Sequence, residues 1–375
     1  MFVANILRLA KSLVLLLQLT TFQYVTCFYS PPSTSTSPSQ KTSSQKASVR
    51  DGDTVLIFGG TGGVGQLVTR RLLEQTQTLY PKLKLRIVSR DIQRASETLR
   101  LFTNHDDEDN VAHALLGNQI DFVPIDTLTP TNPQEIQRIE EQLKQAMDNV
   151  SAIVISVGTT AFPTSKWKNG NTPQAIDSDA ISRIVQIANK ISSEYTTAKS
   201  NTSSSPFVWP WESSSPTRTN PMKQYLKRIV LITSIGVQRT NIMPFVFLNL
   251  FGVLDAKRSG EDAIIQGALT SQEEKKQDKR DIGWDYVIIR PGRLVGGPYT
   301  NLDLAKLIQV DGGSNFGAQI QKGDTLLGDC KRITCADAVV QSLLNDKINN
   351  IDFSIISAPG NPWTKDQWNI ALDKL

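Results

Sequence analysis

The chain has few of the residues that build metal sites and disulfide frameworks. Its 375 residues include two histidines, His105 and His113, and three cysteines, of which only Cys330 and Cys335 lie beyond residue 50. Two histidines supply too few nitrogen ligands for a His-rich zinc site, and the five-residue offset between the two thiols matches no zinc knuckle. The sequence therefore predicts no metal site and two buried, apolar thiols.

The body of the chain lacks an excess of charge of one sign. The formal net charge is +4, but residues 1–50 carry five basic residues and no acidic one. The remaining residues hold 35 basic and 36 acidic side chains, so the body is nearly neutral. Because binding to nucleic acid relies on a basic face, this balance argues against nucleic acid as the partner.

The sequence also lacks an apolar run that could cross a bilayer, whose core of ~30 Å needs about 20 residues. Its longest apolar stretch near the start, Leu13–Leu19, follows the basic residues Arg8 and Lys11 and precedes a polar run that ends at Cys27. Residues 1–27 therefore predict a cleaved signal peptide, with an uncleaved membrane anchor as the alternative. We expect no membrane span in the mature chain.

Residues 28–50 contain Ser, Thr, Pro and Lys but no carboxylate, a composition typical of a transit peptide. A signal peptide followed by Phe28 and such a segment resembles the two-part plastid leader of algae with complex plastids. We therefore expect a plastid location, and plain secretion with residues 28–50 as a linker is the alternative. In either case residues 51–375 are predicted to form the folded body.

Apolar runs alternate with amphipathic patterns along the body. The first run, Thr54–Phe58, is continuously apolar, as expected for a strand buried on both faces. Six further strands are predicted at 85–89, 122–125, 152–157, 229–233, 286–289 and 353–356, and helices at 66–78, 92–102, 133–147, 174–193, 255–268 and 335–345. Alternation of strand and helix predicts an α/β fold, a Rossmann-like doubly wound parallel sheet. Residues 300–330 are expected in a small C-terminal substrate lobe over the cleft.

Two polar segments interrupt this alternation. Residues 196–222 are rich in Ser, Thr, Asn and Pro around Phe207, Trp209 and Trp211, and residues 270–281 are almost wholly polar. Both are predicted to be surface insertions of the body. The aromatic residues of the first segment form either a docking patch for a protein partner or a loop that folds back onto its own domain.

A glycine-rich loop follows the first predicted strand and opens a helix. Residues Gly59–Gly65 fit the pattern Gly-x-x-Gly-x-x-Gly. A side chain at Gly62 would hold a pyrophosphate away from the backbone, and Gly65 lets the helix pack close to the strand. The free N–H groups at the helix start attract phosphate. The loop predicts a nicotinamide dinucleotide site formed by Gly59, Thr61, Gly62, Gly63, Val64 and Gly65.

The end of the second predicted strand bears on the choice between NADPH and NADH. An NAD site usually has a carboxylate there, but this chain has Ser89 and Arg90. The Arg90 guanidinium matches a 2′-phosphate, so we expect NADPH rather than NADH. Asp91 would repel that phosphate if the strand continued, whereas it would cap the next helix if the strand ended at Ser89.

Seven segments of the chain follow the order of one known family: Gly59–Gly65, Ser89–Arg90, Asp126, Gly158–Pro163, Thr233–Val237, Lys257–Asp262 and Arg290–Leu294. Over about residues 53–358, the chain resembles an atypical short-chain dehydrogenase/reductase of the NAD(P)H-binding, NmrA-like type. It is similar in particular to plastid members, including relatives of the NADPH-binding translocon component.

The resemblance implies a place for the cofactor. It puts eight residues along the dinucleotide: Asp126 and Thr127 beside the adenine, Val157, Gly158 and Thr159 on the ribose side, Pro291 and Gly292 facing the nicotinamide, and Lys257 on the nicotinamide ribose.

The chain departs from the family at one catalytic position. Active members use a Tyr-x-x-x-Lys pair, in which the lysine lowers the tyrosine pKa so that the phenol exchanges a proton during hydride transfer. Four residues before Lys257 stands Val253, which has no proton to give. We predict Ser234 and Lys257 as the catalytic residues. The proton would come from Ser234, from Tyr299 in a glycine-rich turn or from water, and an acceptor that needs only hydride would require none.

Two functions therefore remain open from the sequence. The chain is either an NADPH-dependent reductase with an unusual proton donor, or an NADPH-binding redox sensor or scaffold at plastid membranes. Loss of the tyrosine favours the second function, in which residues 196–222 would contact a protein partner. The retained cofactor residues suit both.

Overall fold

The computed structural model describes residues 48–100, 119–164, 167–168, 170–200, 225–278, 283–297 and 316–375. The predicted signal peptide, nearly all of the transit-like segment, the aromatic part of the 196–222 insertion, both histidines and Tyr299 lie outside these residues.

The main sheet of the described residues has eight strands, which are β1 Thr54–Phe58, β2 Lys84–Ser89, β3 Ile120–Pro124, β4 Ala152–Ile155, β5 Arg228–Ile232, β6 Asp285–Pro291, β8 Gly317–Lys322 and β10 Ile351–Ala358. Their spatial order is β3-β2-β1-β4-β5-β6-β10-β8. The first seven in that order are parallel, and only β8 runs antiparallel to its neighbour β10. A separate pair consists of β7 Arg293–Val295 and β9 Asp329–Lys331. The order 3-2-1-4-5-6 is that of a doubly wound Rossmann-like sheet, as predicted.

The helices follow the strands in alternation and cover both faces of the sheet. They are α1 Gly63–Thr78, α2 Ile92–Arg100, α3 Pro133–Met147, α4 Ala180–Ser200, α5 Phe245–Leu248, α6 Val253–Asp278, α7 Arg332–Leu344 and α8 Lys365–Leu372, and a π-helix, Gln174–Asp179, leads directly into α4. No helix in the described ranges is long and apolar enough to cross a membrane.

The core lies in two apolar layers because successive side chains of each strand point to opposite faces. Val55 and Ile57 of β1 pack in one layer with α1 and α7. Leu56 and Phe58 pack in the other layer with α3, α4 and α6. Every side chain of β1 is therefore buried, which is why the strand appears in the sequence as an unbroken apolar run.

Three boundaries differ from the sequence prediction. The packed body begins before residue 51, since Val49 is buried and its N–H donates to Leu343 in α7. Residues 270–278, predicted as an insertion, continue helix α6, and Ser271 is buried there. Residues 317–322, expected in a C-terminal lobe, form the edge strand β8 of the main sheet. Val49 and residues 317–322 are held by backbone hydrogen bonds to elements far away in the sequence, helix α7 and strand β10.

The two thiols of the body are buried and unpaired, as predicted. A hydrogen bond with Cys335 and burial together raise the pKa of Cys330 well above that of a free thiol. Across the part of the chain that the structure describes, no group of histidine, cysteine or carboxylate side chains could hold a metal ion.

Candidate functional site at the carboxyl edge of the sheet

The candidate site lies at the carboxyl ends of the parallel strands. Strand β1 lies between β2 and β4. After β1 the chain adds β2 and β3 on one side of it, and then β4, β5 and β6 on the other side. The loops after β1 and β4 therefore diverge and leave a crevice, which is where open α/β sheets bind ligands.

The glycine loop makes a tight turn at the mouth of this crevice. Gly59 has a φ of +78°, and its carbonyl oxygen accepts the N–H of Gly62 at 2.8 Å. A Cβ on Gly65 would lie 2.1 Å from that same carbonyl oxygen. The loop therefore closes onto helix α1 only because residue 65 has no side chain.

The start of helix α1 is left bare towards the crevice. Its N-cap is Gly62, which has no capping side chain, and the first turn contains no acidic residue. The first N–H groups of a helix have no intrahelical acceptor, and the helix dipole adds partial positive charge there. A diphosphate fits this site because it can accept from main-chain N–H groups that no side chain covers.

The second strand ends where the sequence predicts. Strand β2 ends at Ser89, whose hydroxyl donates to the carbonyl of Asp91 at 2.9 Å. The Asp91 carboxylate accepts the N–H of Arg94 at 3.0 Å, so Asp91 caps helix α2. Arg90, between them, is exposed at the carboxyl edge. This is the arrangement in which Arg90 is free to meet an anion while the Asp91 carboxylate is engaged by the helix.

Asp126 and Thr127 follow β3 at the same edge, since Pro124 of β3 pairs with Ser89 of β2. Asp126 forms an exposed ion pair with Arg138 of α3, at 3.2 Å. The Thr127 hydroxyl accepts the N–H of Thr129 at 3.0 Å. Both residues thus border the crevice on the β2–β3 side, and their predicted contact with adenine remains a prediction.

The loop after β4 contains a buried ion pair that the sequence does not reveal. The Lys257 ammonium of α6 donates to Asp177 of the π-helix at 2.5 Å. The other oxygen of Asp177 accepts the backbone N–H of Thr159 at 3.0 Å and also the Thr159 hydroxyl. A Cβ on Gly158 would lie 2.9 Å from the Lys257 nitrogen and 3.0 Å from Asp177. The structure therefore brings Gly158, Thr159 and Lys257 together through a carboxylate that the sequence analysis missed.

Asp177 could not have been found from local pattern. It lies 80 residues before Lys257, in a segment predicted simply as helix. The only sequence signal is weak: an aspartate on the first turns of a helix whose apolar face packs on the sheet. Its side chain is 2% exposed, so it is a buried charge that must be paired.

The β5 side of the site is held by a second buried ion pair. Arg290 of β6 makes two hydrogen bonds to Glu261 of α6, at 2.9 and 2.8 Å, and a third to Asp352 of β10. Glu261 also accepts the Thr233 hydroxyl at 2.6 Å. Although burial acts to lower it, the pKa of Arg290 is raised, because both carboxylates stabilise the charged form. This network fixes α6, and with it Lys257, against the ends of β5 and β6.

The remaining predicted residues also lie at the carboxyl edge. The Ser234 hydroxyl, just after β5, donates to the carbonyl of Ile235 at 3.0 Å. Pro291 ends β6 and accepts the Ile235 N–H at 3.0 Å. A Cβ on Gly292 would lie 2.2 Å from the carbonyl oxygen of Gly328, so the backbone packs closely there. Ser234, Pro291 and Gly292 are thus neighbours, on the opposite side of β4 from the glycine loop.

No known protein-family model matches the chain, and no curated protein matches it. Among solved structures the chain is similar to the oxidoreductase ylbE of Lactococcus lactis, with 15% identity, a TM-score of 0.47 and coverage of 86% of this chain and 96% of that one. It is also similar to the yeast methylglyoxal/isovaleraldehyde reductase Gre2 complexed with NADPH, with 10% identity, a TM-score of 0.44 and coverage of 81% and 78%. The anaerobillin reductase ChuY of Escherichia coli O157:H7 has 15% identity, a TM-score of 0.42 and coverage of 83% and 100%.

The geometry of the described residues combines three features at the carboxyl edge of the sheet. These are an uncapped helix start over a glycine turn, an exposed arginine at the end of β2, and a lysine held by a buried carboxylate beside the β4 loop. The first two suit a phosphorylated ligand, and the third places a fixed cation where a hydroxyl-bearing ligand could meet it.

Proposed function

We propose that the chain binds NADPH across the carboxyl edge of its sheet and acts as a reductase of the atypical short-chain dehydrogenase/reductase type. The observation that carries the proposal is the bare start of α1 over the Gly59–Gly65 turn, at the point where the strand order reverses. A dinucleotide that rests its diphosphate there would extend its adenosine towards β2 and β3 and its nicotinamide towards β4 and β5.

The preference for NADPH over NADH rests on Arg90. Its side chain is exposed at the end of β2, and the neighbouring Asp91 carboxylate is occupied as a helix cap. A guanidinium at this position would pair with the 2′-phosphate that distinguishes NADPH from NADH.

Each side chain near the nicotinamide end has a distinct role in the proposed reaction. The bound cofactor would supply a hydride to an electrophilic substrate. Lys257 would donate to the ribose hydroxyls, and Asp177 would keep its ammonium beside Gly158. The Ser234 hydroxyl would polarise a substrate carbonyl. Since Val253 offers no proton, the proton must come from Ser234, Tyr299 or solvent, unless the acceptor needs only hydride.

A second function is favoured by Val253 itself. This residue begins α6, is buried and replaces the acid of active family members. In this alternative the chain is a plastid NADPH sensor or scaffold, in which cofactor occupancy alters a partner surface formed by residues 196–222.

Cofactor titration tests the binding proposal directly. Gly62 has a φ of −78°, a conformation open to any residue, and its Cβ would lie 3.1 Å from the Gly59 carbonyl oxygen, so Gly62→Val should fold with a small shift of the turn. Its side chain would fill the diphosphate position, and we expect NADPH affinity to fall by about a hundredfold or more, as for loss of several charged hydrogen bonds. Cofactor fluorescence with the full chain measures this.

Gly297→Val is the matched control, because a Cβ at residue 297 meets no atom of the described residues within 4 Å. Equal NADPH affinity of the Gly62→Val and control variants would contradict the proposed site.

Turnover separates the reductase from the sensor. NADPH oxidation by the full chain should be followed with quinones, enones and aldehydes as acceptors. A reductase should turn over at least one class and lose most activity in Lys257→Ala. Saturable NADPH binding without any turnover would favour the sensor, and turnover that survives both Lys257→Ala and Ser234→Ala would contradict the proposed mechanism.

A further inference from the structure

An uncharged segment between β5 and α6 carries much of the exposed apolar surface. Residues 241–252 contain no aspartate, glutamate, lysine or arginine. Across the described ranges, thirteen large apolar side chains are exposed to solvent. Six of these belong to the segment or to a ring that packs on it: Phe162, Ile242, Met243, Val246, Leu250 and Phe251. We call residues 241–252 the apolar tip. Clustering of this kind marks an interaction surface, whereas single exposed apolar residues are ordinary.

The exposed side chains of the apolar tip share one face of its backbone. The N–H of Val246 donates to the carbonyl of Ile242 at 3.2 Å, and that of Leu250 donates to Phe247 at 3.4 Å. These bonds keep residues 242–250 in helix-like turns around the short helix α5. Side chains four positions apart lie on the same side of such turns, so Ile242, Val246 and Leu250 form a continuous apolar ridge.

The opposite face of the apolar tip is anchored to the body. Phe245 is buried in a small cluster with Leu254 and other apolar side chains after β5. Beneath this cluster the buried Asp324 carboxylate accepts the N–H of Gly236 at 2.8 Å and pairs with Arg239 at 2.7 Å. The tip is therefore held from inside, and its outer ridge needs no folding step before it meets a ligand.

The polar groups of the apolar tip are largely used within the chain. Main-chain N–H groups of seven of its residues donate to main-chain carbonyl oxygens: Ile242, Phe245, Val246, Phe247, Asn249, Leu250 and Gly252. Pro244 has no N–H to satisfy. The Asn249 side chain accepts the N–H of Leu254 at 2.9 Å and donates to Asp255 at 2.8 Å. Because an apolar solvent leaves no partner for a free backbone donor, a segment with its donors already paired can leave water at little cost.

The chemistry of the exposed side chains favours a lipid surface over a protein partner. Protein interfaces carry about one hydrogen bond per 100–200 Å². The side chains of Met243, Phe251 and the apolar ridge offer no N–H or O–H donor. Trp167 packs edge-to-face on Phe251 at 6.1 Å, and the exposed Lys168 follows it in the chain. Tryptophan and lysine are typical of the boundary between acyl chains and headgroups, so they fit the rim of a membrane contact.

We infer that the apolar tip inserts into one leaflet of a phospholipid bilayer and holds the chain at the membrane surface. Ile242, Val246 and Leu250 contact the acyl chains, and Lys168 stays at the level of the headgroups. Such a contact lies in the membrane surface and requires no spanning helix. Since the tip is uncharged, it does not need anionic lipid. The inference goes beyond the proposed function and does not depend on NADPH binding.

A fluorescent label on the full chain reports where the apolar tip lies. The Leu250→Cys variant carries an environment-sensitive nitrobenzoxadiazole label in a Cys27→Ser background, in which Cys330 and Cys335 are buried. The control label is on Ile370→Cys, at a similarly exposed position of α8. With vesicles of brominated phosphatidylcholine, the label at position 250 should lose most of its fluorescence. The label at position 370 should keep its fluorescence.

Vesicle affinity tests the contribution of the ridge. Ile242→Asp places a charge on it, and we expect affinity for phosphatidylcholine vesicles to fall by about tenfold or more. Leu79→Asp is the matched control, because Leu79 and Ile242 are both 54% exposed and Leu79 lies at the far end of α1. The predicted signal peptide is present in both variants, so the ratio of their affinities reports the tip.

Equal quenching of the two labels, or none at position 250, would overturn the inference. Equal vesicle affinity of Ile242→Asp and Leu79→Asp would overturn it as well. Sedimentation velocity without lipid is the third measurement: a dimer that Ile242→Asp dissociates would assign the tip to a second copy of the chain instead of a bilayer. NADPH titration is separate, and Ile242→Asp should leave NADPH affinity unchanged, so failure of the membrane contact and failure of the proposed function are distinguishable.

Discussion

The two halves of the carboxyl edge differ in the groups that line them: main chain in one half and charged side chains in the other. On the β1–β2 side the crevice is lined by main chain: Gly59–Gly65 turns tightly, and the start of α1 carries no capping side chain. On the β5–β6 side the edge is held by charged side chains, with Arg290 and Glu261 both fully buried. Strand β4 separates these halves, and its loop meets Lys257 and Asp177.

This difference shows two ways to fix a binding site. Main-chain donors need glycines, because a side chain would occupy the ligand's place or break the turn. Side-chain cations need buried partners, because an unpaired charge in the interior is costly. Damage to the first half should therefore affect binding first, whereas damage to the second half should affect stability first.

The largest expected effect is on the stability of the β5–β6 half. Glu261→Ala leaves the buried Arg290 guanidinium with Asp352 as its one carboxylate partner in the described residues. Removal of one member of a buried ion pair should lower the free energy of unfolding by about 3–5 kcal/mol. Urea denaturation measures this. The double variant Glu261→Leu with Arg290→Met should recover most of the loss, and a single variant as stable as the wild type would refute the role of the pair.

The glycine half should show a smaller loss of stability. Gly65→Ala places a Cβ 2.1 Å from the Gly59 carbonyl oxygen, so the turn or α1 must move. Overpacking of this kind costs about 1–3 kcal/mol. Denaturation and NADPH titration should both change, whereas Gly62→Val should change binding far more than stability, because its Cβ would lie 3.1 Å rather than 2.1 Å from that oxygen. If Gly65→Ala has the same free energy of unfolding and the same NADPH affinity as Gly297→Ala, the glycine turn does not depend on the missing side chain at residue 65.

A variant of Asp177 tests whether the loop after β4 contributes to NADPH binding or only to the stability of the fold. Asp177→Asn keeps the side-chain shape but removes the charge that holds Lys257, and we expect NADPH affinity to fall by about tenfold, as for one charge-assisted hydrogen bond. Glu194→Gln is the control, since it removes an ion pair of 2.7 Å that is half exposed. An unchanged NADPH affinity in Asp177→Asn would restrict Asp177 to a structural role.

A loss of affinity of the same size is expected at Arg90, where it concerns the choice of cofactor. Arg90→Ala should weaken NADPH by about tenfold and NADH by much less, because only NADPH carries the 2′-phosphate that the guanidinium would pair with. Parallel titrations with the two cofactors measure the ratio. Equal losses would show that Arg90 does not meet the 2′-phosphate.

Most elements of the sheet could be predicted from the sequence because their signals are local. Thr54–Phe58 is apolar throughout, and structure and sequence agree on its bounds. The short strands β7 and β9 and the edge strand β8 were missed, since three to six residues of mixed polarity give no clear period. The end of α6 was missed for the same reason: residues 270–278 are polar, yet Ser271 packs in the body.

The sequence by itself determined the strand–helix alternation and the position of the glycine turn, because both depend on neighbouring residues and on backbone freedom at single positions. Tertiary structure alone decided which charges are paired. Asp177 meets Lys257 across 80 positions, and Glu261 meets Arg290 across 29. In the sequence such residues look like any solvated charge, and only the packing of α6 against the sheet removes them from water and forces each to find its partner.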